Sequence, residues 1–292
     1  MKNNRTIDQI ISPPAPHWVG DGFFVNNFFP GSPSMHLQRM SPFFLMDYNA
    51  KVEFAPSNTP HGVGVHPHRG FETVTIAYQG KVAHHDSAGN SGIIESGDVQ
   101  WMTAGSGVLH KEYHEKEWSK QGGIFQMVQL WVNLPAKFKM TAPKYQALKQ
   151  EQFGKYQVPN NMGVVEVIAG NYQGAVGSAY TFTPIEMYNA RINKGAQLNF
   201  TFPSRYNTGF LVIEGEVSID KKSIGADHFI LFAHEELDII VKAEKDAVIL
   251  ILSGEPIDEP IVPYGPFLMN TKQEIIDAYA DLNAGEFGYL ED

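Results

Sequence analysis

The sequence predicts an all-β protein in which two successive sandwich or barrel domains are followed by a C-terminal helix. Three observations carry this prediction. Runs rich in Val, Ile, Thr, Phe and Tyr recur at residues 71–78, 124–132, 164–168, 208–213 and 247–252. Such side chains fit the pleated surface of a sheet. Between the runs, 27 Gly and 18 Pro act as punctuation, with turn signals at Gln79-Gly80, Ala88-Gly89-Asn90 and Glu214-Gly215. Finally, 292 residues with 43% hydrophobic and 18% charged side chains are globular in composition and suit two domains better than one.

In chain order, a first β-rich half fills residues 1–140 and a second fills 141–292. Residues 137–157 are polar with scattered aromatics and read as a crossover. Residues 76–82 and 212–217 are both strand–Gly–strand hairpins, and 95–99 and 224–230 each place Gly, Asp and then apolar residues behind them. That echo suggests an internal duplication. Near the end, Thr271 and Glu274 form a capping box, in which Thr accepts from the N3 amide and Glu from the cap amide. Ile275, Ala278, Tyr279 and Leu282 follow at helical spacing and Gly285 supplies a stop, so an amphipathic helix packs here on a β domain.

Composition excludes several classes of function. With no Cys, there is no disulfide, thiolate metal site, iron–sulfur cluster or thiol switch. Redox chemistry would need a metal or an organic cofactor. The net charge of −10 lies wholly in residues 141–292, which hold 11 basic and 21 acidic side chains, whereas residues 1–140 hold 11 of each. No basic stripe is present, which argues against direct nucleic-acid binding. The first residues lead into Ile7, Asp8 and Gln9 without an apolar core, and no window of about 18 apolar residues occurs. A cytoplasmic protein without membrane contact is expected, and a monomer by default, since one chain supplies both domains.

Nine of the 11 histidines lie between His17 and His114. His66-Pro67-His68 precedes a strand, and on an extended segment residues i and i+2 share a face. His110-Lys111-Glu112 repeats that spacing with one imidazole and one carboxylate. If the two segments are neighbours, His66, His68, His110 and Glu112 form a metal shell with open positions, the pattern of a catalytic rather than a closed structural site. Donors of N and O without sulfur suit Fe(II) first, and also Mn, Ni, Cu or Zn. His84-His85 reads as a solvated pair, of which one could lie near the site. His61 and His114 lie near the ligands in sequence and could sit behind them. Trp101, Met102 and Phe71 read as core.

At this point the residues resemble a known family. His66-Pro67-His68-Arg69-Gly70-Phe71-Glu72-Thr73-Val74 and the run from Gly97 through Glu112 are similar to the signature of the pirins. So are His85-Asp86-Ser87, Gln129 to Pro135, Ser41 to Tyr48, and Tyr264 to Thr271, so that the likeness spans nearly the whole chain. The resemblance implies a bicupin, meaning two antiparallel β-barrels of jelly-roll type, with one metal, usually iron, in the first and none in the second. Its ligands would be His66, His68, His110 and Glu112. Glu72 stands at the offset where other cupins place a ligating Glu, and is expected here behind the ligands instead. The resemblance also implies a quercetin 2,3-dioxygenase-like activity on a small aromatic enol and O2, with Glu112 as base and loss of carbon monoxide on ring opening. Its alternative is an iron-dependent regulatory module that binds a protein partner. Gly105 and Gly107 are expected to permit a tight approach to His110.

Overall fold

A computed structural model describes residues 4–31, 35–235 and 238–291. The chain forms two compact units. One comprises Ala15–Leu37, Phe43–Lys149 and Ile257–Asp292, and contains the histidine-rich segments; the other comprises Met1–Pro14, Gln38–Pro42 and Gln150–Pro256.

In the histidine-rich unit a seven-stranded sheet runs in the order Lys144–Leu148, Val99–Thr103, Phe71–Gln79, Gly123–Asn133, Phe43–Phe54, Phe23–Phe29, His17–Val19. Its companion is a four-stranded sheet in the order Gly62–His68, Val108–His114, Val82–Asp86, Ser91–Ile94. The other unit repeats the plan. Its seven strands are Ile7–Ile11, Phe229–Phe232, Asn207–Glu214, Ala247–Gly254, Ile185–Ile192, Gly163–Ala169 and Gly154–Val158. Its four are Gln197–Phe200, Ile239–Ala243, Glu216–Ile219 and Lys222–Gly225. All pairings between these strands are antiparallel. This is the all-β bicupin plan, with one correction: the sheets of each unit stay separate, so the units are jelly-roll sandwiches rather than closed barrels. The sequence echo falls on equivalent strand pairs, Phe71–Gln79 into Val82–Asp86 and Asn207–Glu214 into Glu216–Ile219, but neither is a hairpin: after the glycine turn each chain leaves the seven-stranded sheet and enters the four-stranded one.

The five predicted runs are strands, each extended by a residue or two. The segment expected as a crossover is not structureless. Lys144–Leu148 pairs along Val99–Thr103, and Gly154–Val158 along Gly163–Ala169. Both are edge strands, exposed along one side, which is why their polar composition hid them. Against the expected domains 1–140 and 141–292, the ends of the chain change sides. Ile7–Ile11 pairs with Phe229–Phe232, far ahead in sequence. Conversely, the hairpin of Val262–Tyr264 with Phe267–Met269 joins the histidine-rich unit through a parallel bridge between Arg69 and Phe267.

The helix Lys272–Asn283 forms as predicted, with both halves of the capping box made by Thr271 and Glu274. It buries Ile275 and Ala278 against Phe267, Met269 and Phe287. Each large apolar side chain buried there contributes roughly 1.5–3 kcal/mol. The Arg69–Asp281 ion pair at 2.8 Å ties the helix to the turn after His68.

Candidate metal centre

Three adjacent strands of the four-stranded sheet each turn an i, i+2 pair toward the sandwich interior: His66 and His68, His110 and Glu112, His84 and Asp86. The register aligns them. His110 lies opposite His66 on one side and Asp86 on the other, and Glu112 lies opposite His84. The pairing with the Gly62–His68 strand shifts between His110 and Glu112. The ring centroids of His66, His68 and His110 are 4.2–4.8 Å apart. One nitrogen from each of these three rings lies within 4.8 Å of the others. A second group, His84, His110 and Glu112, meets the same distance, and His110 belongs to both. His66 is half-buried, while His68, His84, His110 and Glu112 are buried.

The hydrogen bonds decide which atoms face inward. His66 Nδ1 is 2.8 Å from the Gly64 carbonyl and His68 Nδ1 is 3.3 Å from the Pro266 carbonyl. Donation from Nδ1–H to those oxygens leaves each Nε2 with a free lone pair, the tautomer a metal requires. His110 is wholly buried, yet neither ring nitrogen has a protein partner. Buried polar atoms nearly always have one, and a cation would supply it. Burial, reinforced by the neighbouring imidazoles, holds His68 and His110 well below the ordinary histidine pKa, so both rings are neutral. These residues fit a divalent cation taking N and O donors.

The facing sheet holds the carboxylate. Glu112 Oε1 accepts from Thr75 Oγ1 at 3.0 Å and Gln100 Nε2 at 3.3 Å, and Oε2 accepts from Gln129 Nε2 at 2.8 Å. Thr75 lies opposite Gln100 on one neighbouring strand and opposite Gln129 on the other, so one row across the sheet supplies all three donors. Beside the imidazoles, Phe71 stacks on Trp131 at 4.1 Å, and their rings lie 5.0 and 5.2 Å from that of His68. The turn between His68 and Phe71 is locked. Lys139 Nζ donates to the Gly70 and Leu268 carbonyls and to Asn133 Oδ1 at 2.6–2.8 Å, and Arg69 Nε donates to the Ser106 carbonyl at 2.6 Å. Gly105 and Gly107 both take positive φ, but the close approaches they permit are to Thr141 and Phe287 and not to His110. At φ +51° a Cβ on Gly105 would lie 2.2 Å from the Thr141 carbonyl, and at φ +134° one on Gly107 would meet the Phe287 ring at 2.7 Å.

Comparison with known proteins places this chain in a family. The Pirin family profile matches residues 24–132, and the Pirin C-terminal cupin domain profile matches residues 187–288. Human pirin is 36% identical over 260 residues, 87% of this chain and 85% of its own length. The chain belongs to the pirin family. A Pseudomonas aeruginosa pirin-family relative, provisionally named a quercetin 2,3-dioxygenase, is 43% identical over 271 residues, 93% of this chain and 94% of its own. A crystal structure titled quercetin 2,3-dioxygenase from Acinetobacter baumannii is 44% identical, with a TM-score of 0.92 over 99% of this chain and 100% of that one.

Set against the sequence analysis, this pirin-family centre differs in several residues. The structure brings His66, His68 and His110 into one tight group and places Glu112 with His110 and His84. Glu72 does not stand behind the ligands. It points from Phe71–Gln79 to the face opposite Thr75, accepts from Thr103 Oγ1 at 2.7 Å, and is raised to about 7 by burial. Strand alternation is the reason: Phe71, Thr73 and Thr75 take the site face and Glu72 takes the other. His84 is no solvated residue but is fully buried beside His110. His85, one position on, faces outward and pairs with the Tyr113 hydroxyl at 2.9 Å. The i, i+2 rule that picks out His66 and His68 also picks out His84 and Asp86. Phe71 belongs to the site wall as well as the core, and Trp131 was missed because only its register opposite Thr73 reveals its face. Neither His61 nor His114 joins the centre. His61 pairs with Asp21 at 2.8 Å, while His114 is buried among Phe54, Phe125 and Trp118 and bonds the Gly22 carbonyl. Among the described residues no helix is long and apolar enough to cross a membrane.

Proposed function

We propose that this pirin-family chain is a metal-dependent dioxygenase that opens quercetin or a related flavonol enol with O2, using Fe(II) held by His66, His68, His110 and Glu112. The observation that carries the reading is the convergence of three imidazoles, two of them kept neutral by burial, beside a carboxylate and a stacked aromatic wall. The relatives named for that activity support it. A bound divalent metal supplies Lewis acidity, which lowers the pKa of an enol hydroxyl held beside it.

The remaining steps belong to the protein. His66 and His68, fixed as Nδ1–H tautomers, present Nε2 to the centre. Phe71 and Trp131 offer an apolar face against which a flat aromatic ring can lie. Glu112 takes the enol proton on a carboxylate oxygen. Thr75, Gln100 and Gln129 hold that carboxylate in place before the transfer, and Gln129 turns its amide as Oε2 gains the proton. The half-buried His66 marks the side from which substrate arrives, while the buried far wall excludes water.

The test is oxygen uptake on adding quercetin to anaerobically Fe(II)-loaded protein, with His66→Ala as the blank. Uptake that vanishes in the variant supports the assignment. No uptake from protein carrying one iron per chain overturns it, and the centre is then read as a metal-dependent binding module for a protein partner.

A further inference from the structure

We propose that the centre has a second, inner position for its divalent cation, formed by His84, His110 and Glu112, which one ion occupies in alternation with the outer position, where His66 and His68 join His110 and Glu112. The inference rests on the metal-centre reading above and extends it to a residue outside the assigned ligand set.

The setting of His84 supports the inner position. His84 is fully buried and its Nδ1 has no partner, although the ring lies 5.4 Å from that of His110. Its other nitrogen, Nε2, is 3.3 Å from Asp86 Oδ2. Asp86 is itself fixed, accepting from the Ala88 and Asn90 backbone amides at 3.0 and 2.9 Å and from Asn90 Nδ2 at 2.9 and 3.1 Å. A carboxylate receiving Nε2–H leaves the Nδ1 lone pair exposed to the interior, which is how proteins orient a ligating imidazole.

His110 is the hinge of the arrangement. Both of its nitrogens lack partners, so it can serve a cation on either side. Glu112 brings the one negative charge in the inner group and lies opposite His84 in the register. Tyr145 stacks on His84 at 5.1 Å with a 23° interplanar angle, which holds the ring plane.

Occupation is exclusive for an electrostatic reason. Two divalent charges a few ångströms apart, with one ligating carboxylate between them, repel strongly in a buried site. The two positions also differ in access. The outer one includes half-buried His66, whereas all three inner residues are buried. A cation at the inner position is therefore held away from substrate, and a shift toward His66 brings it within reach.

The test uses cobalt(II) chloride as the probe, with bound cobalt measured after equilibrium dialysis and by its d–d absorption. Wild-type protein is expected to bind one equivalent. The double variant His66→Ala/His68→Ala is expected to keep one equivalent, bound more weakly, and to lose it when His84→Phe is added. Phe keeps a ring against Tyr145. A double variant that binds no cobalt, or whose cobalt survives His84→Phe, overturns the inner position. Wild-type protein that binds no cobalt overturns the metal-centre reading itself. If circular dichroism shows the double variant unfolded, wild type and His84→Phe are compared directly. The single variant is expected to lose one component of the cobalt spectrum, and an identical spectrum overturns the proposal.

Discussion

The two four-stranded sheets have the same strand order and opposite interiors. In the histidine-rich unit the three consecutive strands present His66 and His68, His110 and Glu112, His84 and Asp86. In the other unit the corresponding strands Gln197–Phe200, Ile239–Ala243 and Glu216–Ile219 bury Leu198 and Phe200, Ile239 and Val241, Val217 and Ile219. Those six pack with Tyr188, Phe210 and Ile251 into one apolar cluster. The comparison teaches that the sandwich does not need the polar array to fold. One unit spends its interior on burial, worth roughly 1.5–3 kcal/mol per large side chain. Its counterpart accepts imidazoles whose nitrogens lack protein partners, at a cost of about 1–3 kcal/mol for each unsatisfied group.

The sharpest way to break this contrast is to convert one interior toward the other. His110→Val is expected to abolish metal binding, since His110 belongs to both His-containing groups, and to raise the stability of the metal-free protein by about 1–2 kcal/mol. Elemental analysis and urea unfolding after chelation check the two halves of this statement; a destabilised metal-free variant would mean that His110 is satisfied in a way the geometry does not show. The reverse change, Val241→His, puts a polar ring into a cluster without partners. It is expected to cost about 2–3 kcal/mol in denaturant unfolding and to add no second metal equivalent.

Smaller effects test the support around the carboxylate. Gln129→Leu removes the donor to Glu112 Oε2, and metal affinity is expected to fall about 10–100-fold, read by competition with a chelator. An unchanged affinity would detach Glu112 from the metal. The mildest expectation concerns pH. Glu72 is raised to about 7 by burial, above its unfolded value, so its contribution is fully present below about pH 4.5 and is lost as pH rises through 7. Glu72→Gln cannot ionise. Its melting temperature is therefore expected to fall less than that of wild type between pH 5 and pH 8, and parallel curves would remove Glu72 as the cause.

Much of this is legible in the sequence, for local reasons. Strand runs, the Thr271–Glu274 box and the His66/His68 and His110/Glu112 pairs are all set by spacing within a few residues, where backbone geometry dictates the outcome. What escaped depends on partners distant in sequence. His84 becomes a buried neighbour of His110 only through the register of Val82–Asp86 with Val108–His114. Trp131 reaches His68 only because Gly123–Asn133 lies beside Phe71–Gln79. Lys144–Leu148 is half polar because it closes a sheet edge, and its composition is that of a loop. Residue alternation was the tool that could have rejected Glu72, since Thr73 and Thr75 already claim the other face.

The crossing of the chain ends has a consequence for biosynthesis. Histidines of the centre leave the ribosome early, yet His68 Nδ1 bonds the Pro266 carbonyl and Lys139 reaches that of Leu268. Nascent chains that have not yet delivered residues 266–268 hold His68 without the contact that sets its tautomer and the turn after it without one of the carbonyls that Lys139 binds. The centre is thus complete only at the end of translation, and a separately expressed first half is expected to bind divalent ions poorly.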